Sequence, residues 1–257
     1  MPSPADSNLA RGVELLVTLE TEEAQRRGGL GVLDVARMVG REKSQVSRGL
    51  RTLADLGLVD RDPDTLDYRL GWRLFALAAR AGDAQLLSLA PPVLGALVAR
   101  LGETVHLSVL QGTDVMTVLS EPSPRAIRAT VWVGRRVPAH CTSSGRALLM
   151  DHDAEALRAL YGDAPLDPAG PGAPQDVEEL ARRVAAARAQ GHVLADEERE
   201  AGLVGAAAPV RDFRGRIVAA LNISAPKFRL TEGLAAAGVE VQRAAEDLSH
   251  RLGWRAP

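Results

Sequence analysis

Lys43-Ser44-Gln45-Val46-Ser47-Arg48-Gly49-Leu50-Arg51-Thr52-Leu53-Ala54-Asp55-Leu56-Gly57 is the stretch on which the fold turns. Placed at about 100° per residue, Val46, Leu50 and Leu53 share one helical face and are expected to point inward. Ser44, Arg48 and Arg51 share the opposite face, with Ser47, Thr52 and Gln45 beside them. A solvated helix commonly mixes Glu with Lys in intrahelical pairs. This face carries no carboxylate before Asp55, and Arg41 and Lys43 add charge just ahead of it. Guanidinium, hydroxyl and amide groups are those that bond phosphate oxygens and major-groove base edges.

Working outward, a helix is expected from Ser7 or Asn8, either of which can cap it. Its apolar stripe reads Leu9, Val13, Leu16 and Leu19 or Val17. Arg26 to Gly31 holds three glycines and predicts a turn. A second helix carries Leu33, Val35, Ala36 and Val39 and ends at Gly40. After the quoted helix, Leu58–Asp60 and Tyr68–Leu70 read as two short strands around Arg61-Asp62-Pro63-Asp64-Thr65, a turn signal. Helix, turn, helix and hairpin together make a winged helix-turn-helix. Arg11 and Arg69 are candidate backbone contacts from the first helix and the wing.

Helical patterning resumes from Leu70 to Arg100, with expected interruptions at Gly82 and at Pro91-Pro92, because an interior proline removes a helical hydrogen bond. A linker helix near 71–81 and another near 92–101 follow from this. Beyond them, Thr104–Leu110 and Val115–Ser120 form a hairpin around Gln111-Gly112-Thr113-Asp114, and Val131–Val137 and the surroundings of Ile127 read as further strand. Helices are expected near 144–150, 153–161 and 176–190, strands near 192–195, 203–210 and 216–224, and a closing helix near 230–252. Gly162 to Pro174 reads as a loop. Strands and helices come in runs, so the class is α+β.

The 257 residues are 46% hydrophobic, a globular composition, with a net charge of −2. Acidic and basic side chains balance within residues 1–80, so any attraction for nucleic acid must be local. No apolar run was expected to reach the roughly 18 residues of a membrane span. The N-terminus lacks a basic segment followed by an apolar one, so no secretory signal is expected. One cysteine, Cys141, rules out an intrachain disulfide and fits a reducing cytoplasm.

Catalysis and metal binding find little support. His140 and Cys141 are adjacent, and neighbours on a strand point to opposite faces, so they make a poor nucleophile–base pair. His106, His140, His152, His192 and His250 show no metal-ligand spacing, and His106 and His140 read as structural. Gly28-Gly29-Leu30-Gly31 is a turn, not a phosphate loop. No cofactor is expected. Thr142-Ser143-Ser144-Gly145 precedes a helix, and its hydroxyls either cap that helix or, with the free N–H groups, bind an anion. In Leu221-Asn222-Ile223-Ser224, alternation puts Asn222 and Ser224 on one face, where they need a ligand or backbone partner.

Over nearly its whole length the chain resembles the IclR family of bacterial regulators. Asn8-Leu9-Ala10-Arg11-Gly12-Val13-Glu14-Leu15-Leu16, the Lys43–Arg48 and Thr52–Val59 segments, and Tyr68-Arg69-Leu70-Gly71 carry the N-terminal match. Gly102–Leu107, Gly134–Thr142, Ser144–Leu149, Gly191-His192-Val193 with Asp196-Glu197-Glu198, and Ala207–Val210 carry the C-terminal one. The resemblance implies a winged helix-turn-helix DNA-binding domain over 1–70, a linker helix over 71–90 and a GAF-like effector-binding domain over 91–257. It also implies a regulator, expected to be a repressor of a catabolic operon, bound to double-stranded operator DNA as a dimer or dimer of dimers. The effector is expected to be a small carboxylate. Its pocket is placed around Cys141 to Gly145, Asp196 with Leu203 and Gly205, and Asn222 with Ser224, walled by Ala129, Trp132 and Val137. Three positions depart from the family pattern. Ala195 stands where an acid is common, Gly205 where Cys or Arg is common, and Asn222 where Ser is common. Smaller side chains imply a roomier pocket and an aromatic acid or its derivative.

Overall fold

The computed structural model describes residues 7–81, 84–128 and 133–255. The chain forms two compact units, Met1–Ala84 and Gln85–Pro257. The first unit contains α1 (Asn8–Leu19), α2 (Glu22–Arg27), α3 (Val32–Val39), α4 (Lys43–Asp55), β1 (Val59–Arg61), β2 (Tyr68–Leu70) and α5 (Trp72–Ala81). Ser7 caps α1 through the N–H of Ala10, and Gly40 ends α3 in the left-handed region at φ 66°. Leu15, Leu19, Leu30, Val35, Val46, Leu50, Leu53, Val59 and Tyr68 form its core. The strands pair antiparallel, Val59 opposite Leu70. Asp62 Oδ1 accepts from the N–H groups of Asp64 and Thr65 at 2.9 and 3.0 Å and shapes the turn between them.

Two expectations in this unit need correction. The segment ahead of the triple glycine holds α2, a helix of six residues capped by Thr21, too short for hydrophobic periodicity to reveal. In α1 the buried side chains are Leu15, Thr18 and Leu19, whereas Leu9 is 79% exposed and Val13 and Val17 are also exposed. The helix carries apolar residues on two faces, and packing against α3 and α4 selects the second.

The second unit contains α6 (Ala84–Leu101), β3 (Thr104–Gln111), β4 (Asp114–Glu121), β5 (Arg136–Pro138), α7 (Ser143–Leu148), α8 (Ala154–Tyr161), α9 (Val177–Gln190), β6 (Val193–Asp196), β7 (Leu203–Arg211), β8 (Ile217–Pro226), α10 (Lys227–Leu230) and α11 (Leu234–Arg251). Its antiparallel sheet has the order β5-β4-β3-β8-β7-β6. One face packs Val105, Leu107, Leu221 and Ile223 against Leu94 and Leu97 of α6 and Val241 and Leu248 of α11. The other packs Val115, Val137, Ala207 and Ala220 against Leu148 of α7, Leu157 of α8 and Leu180 and Val184 of α9. Alternation along β3 and β8 sorts their residues between these faces.

Here α6 runs unbroken through Pro91 and Pro92, contrary to the expected interruption. Leu86, Ala90, Val93, Leu94 and Leu97 are buried in the core on one side of the helix, and that burial outweighs the missing proline donors. With 18 residues and mean hydropathy 1.4, α6 is also long and apolar enough to meet the length and composition of a membrane span, which the sequence reading did not anticipate. The surroundings of Ile127 are bends rather than strand, and the strand expected over 131–137 shrinks to β5 and a bridge between Val133 and Thr117. Residues 131 and 132 lie outside the described part.

Candidate functional site

In α4, Val46, Leu50 and Leu53 are buried, and Lys43, Ser44, Gln45, Arg48, Arg51 and Thr52 are exposed, with Ser47 half-buried. A Cβ at Gly49 would lie 2.6 Å from Leu15 Cδ1, so the glycine permits the close approach of α1 that fixes this helix. Arg48 Nε leans back to the Ser44 carbonyl at 3.4 Å, and Thr52 Oγ1 donates to the Arg48 carbonyl at 3.0 Å. Among the described residues no carboxylate pairs with Lys43, Arg48 or Arg51. Arg41 is different: its Nε holds Glu14 Oε2 at 2.9 Å, tying α1 to the start of α4. Glu42, the N-cap residue, makes no side-chain cap, and the first turn of α4 has no acidic residue. Arg69 is exposed on β2, whereas Arg11 is half-buried. The face thus offers cations, hydroxyls and an amide on a rigid element.

The second unit encloses a cavity of about 290 Å³ on the α7 side of the sheet. Antiparallel register builds its floor: His106 lies opposite Asn222, and Thr104 opposite Ser224. Ser108 Oγ reaches Thr117 Oγ1 at 3.4 Å and donates to Asn222 Oδ1 at 3.5 Å. His106 Nδ1 meets Ser120 Oγ at 2.9 Å. Burial alone holds the His106 imidazole down at a pKa of about 4, so it is uncharged at neutral pH.

Of the residues expected around the pocket, Val137, Cys141, Thr142, Ser143 and Ser144 line it from one side. Leu203, Gly205, Asn222 and Ser224 line it from β7 and β8. A Cβ at Gly205 would lie 2.7 Å from the Ile223 carbonyl oxygen and 3.1 Å from Ser143 Oγ, so the glycine keeps this wall thin. Gly145 does not line the cavity; its Cα faces Ala139, whose carbonyl oxygen would lie 2.0 Å from a Cβ. Asp196 does not line it either. Ala195 faces the cavity, so alternation turns Asp196 outward, where it pairs with Lys227 at 2.8 Å. Ala129 and Trp132 lie outside the described residues. Thr142 Oγ1 accepts from the Gly145 N–H at 3.1 Å and caps α7, while Ser143 and Ser144 line the cavity.

The sequence reading missed His106, Ser108 and Thr117, which reach the cavity because β3 sits between β4 and β8. It also missed Arg128, whereas the Glu198–Gly202 turn belongs to the segment from Asp196 to Gly205 expected around the pocket. Glu198 Oε1 is held by Arg146 Nη2 at 2.6 Å and Arg183 Nη1 at 3.3 Å. Burial pushes the Glu198 carboxyl up, against the pull of those two guanidiniums. The glycine-rich loop buttresses this turn, since the N–H groups of Gly170 and Gly172 donate to the carbonyls of Glu198 and Glu197 at 2.9 and 3.0 Å.

His140 and Cys141 are not arranged as a nucleophile and base. His140 Nε2 engages the Asp167 carbonyl oxygen at 3.1 Å, and burial pushes the Cys141 thiol up. Among the described residues no group of three or more His, Cys, Asp or Glu side chains could hold a metal ion.

The chain matches the family model for the IclR helix-turn-helix domain over residues 9–63 and that for the bacterial transcriptional regulator IclR C-terminal domain over residues 79–250. It is 32% identical over 227 residues to the Pca regulon regulatory protein of Pseudomonas putida, covering 88% of this chain and 76% of that one. It is 29% identical over 251 residues to the HTH-type transcriptional repressor AllR of Salmonella paratyphi A, covering 97% and 91%. Among solved structures it is similar to an IclR homologue from Microbacterium hydrocarbonoxydans complexed with 4-hydroxybenzoate, with TM-score 0.76, 29% identity and coverage of 96% and 99%. The helix-turn-helix unit, the six-stranded effector-domain fold and these matches agree: the chain belongs to the IclR family of bacterial transcriptional regulators.

Proposed function

We propose that this regulator is a repressor that grips operator DNA with the exposed face of α4 and is controlled by a small carboxylate, an aromatic acid or its derivative, held in the cavity of the second unit. The observation that carries the DNA reading is the exposed face of Lys43, Arg48 and Arg51 beside Ser44, Gln45, Ser47 and Thr52, which has no acidic partner among the described residues. Arg69 in the wing is assigned to the phosphate backbone. Arg41 pairs with Glu14 of α1 and seats the start of α4, while Arg11 is half-buried on α1. The cavity volume exceeds the roughly 150 Å³ that admits benzene in an apolar protein cavity. A relative that represses and a homologue bound to 4-hydroxybenzoate support both the sense of regulation and the class of effector. No catalytic role is assigned, and the place of action is the cytoplasm, where the DNA lies. The assembly is a dimer or dimer of dimers, which requires two half-sites about one helical turn apart.

Operator DNA selected from a random library tests this. Arg48→Ala with Arg51→Ala should abolish selective binding and lower the salt slope by about 0.9 per lost phosphate contact. The same variant should keep the thermal shift given by 4-hydroxybenzoate. Unchanged DNA binding by the double variant would remove α4 from the interface.

A further inference from the structure

A partly enclosed cavity that admits a carboxylate must supply the counter-charge, because an unpaired buried ion is costly. The start of α7 supplies no full charge: Thr142 Oγ1 occupies the Gly145 N–H, and the N–H groups of Ser143 and Ser144 beside the cavity are dipoles, not cations. Among the described residues the cations lining the cavity are Arg128 and Arg199. Arg128 is exposed, and its Nη1 donates to the carbonyls of Ser123 and Arg125 at 3.4 and 3.5 Å. Arg199 is half-buried, its Nε is shut off from solvent, and that atom has no hydrogen-bond partner. Neither neighbouring acid serves it. Glu198 is committed to Arg146 and Arg183, and Glu200 is exposed and makes no ion pair among the described residues.

We propose that Arg199 is the counter-ion of the bound effector. This rests on the cavity being the effector site and adds its polarity. The acid lies with its carboxylate at the Glu198–Leu203 turn and its body over the uncharged floor of His106, Thr117 and Asn222. A guanidinium fork matches a carboxylate by two parallel hydrogen bonds, which an ammonium cannot reproduce. The site therefore selects acids over their neutral amides, and the floor offers a far-end hydroxyl only uncharged partners.

Benzoate and benzamide share a ring and nearly a volume but differ in charge, so calorimetric titration of the full chain with both probes separates the terms. The wild type should bind benzoate at least tenfold more tightly than benzamide. Arg199→Gln should weaken benzoate by about tenfold to a hundredfold, leave benzamide unchanged and so erase the preference. Arg199→Lys should restore part of it. A Gln variant that keeps the wild-type preference overturns the assignment. Cavity-filling Ser224→Trp and Leu203→Trp, whichever folds, should abolish binding of both probes. If neither probe is affected, the cavity itself is wrong; if the wild type binds neither probe, the aromatic carboxylate is wrong.

Discussion

His106 shows how one side chain carries both stability and specificity. It is buried on the cavity floor, and its imidazole is held at about 4 against an ordinary 6.5. The unfolded chain therefore binds a proton that the folded chain resists between those two values, and stability falls as pH drops through that window. The loss is on the order of 3 kcal/mol once pH passes below 4. Burial also lowers the His140 imidazole, so the comparison must be with a variant. In urea titrations, His106→Gln should be less sensitive than the wild type between pH 6.5 and 4; equal sensitivity would mean that the imidazole is hydrated. Gly145 makes a second residue-level point. A Cβ placed 2.0 Å from the Ala139 carbonyl oxygen cannot be accommodated without moving the chain at the cavity wall. Gly145→Ala should cost about 1–3 kcal/mol, read as a lower urea midpoint.

Among the elements, α6 has the least expected continuity. Pro91 and Pro92 cannot donate to the carbonyls of Leu87 and Ser88, yet both prolines are exposed while Ala90, Val93, Leu94 and Leu97 are buried. The prolines sit on the exposed side of the helix, and the core side keeps its packing. Replacing both by alanine should restore two donors and raise stability by about 1–3 kcal/mol, measured as a higher midpoint in urea. A fall would show that the prolines set the path of the helix over the sheet. The sheet makes the complementary case. Apart from β5 its strands were read with nearly correct limits, and the β3–β4 hairpin was legible, but the place of β8 beside β3 was not. Periodicity within a strand says which residues share a face, and nothing about which strand lies alongside.

At the scale of the molecule, the apolar clusters are built from residues within each unit: Leu15 to Tyr68 in the first, Leu86 to Leu252 in the second. Each therefore has an apolar core of its own. A fragment spanning 85–257 should therefore unfold cooperatively in urea and keep the benzoate response of the full chain. A fragment that stays unfolded would mean that the second unit depends on the first. The net charge of −2 spread over both units also predicts that DNA affinity depends on the α4 face and weakens steeply with salt, not on a general attraction.

The amino-acid order by itself determined the class, the helix α4 with its buried Val46, Leu50 and Leu53, the end of α3 at Gly40, and the shared face of Asn222 and Ser224. These depend on spacing, cap chemistry and strand alternation, which are local. Tertiary structure decided which face of α1 is buried, that α6 passes through two prolines, and that Ala195 rather than Asp196 faces the cavity. It alone brought His106, Thr117 and Arg199 to the site that Asn222 marks. Those outcomes depend on strand order, register and the competition between burial faces, and such contacts join residues far apart in the chain, where no local pattern can record them.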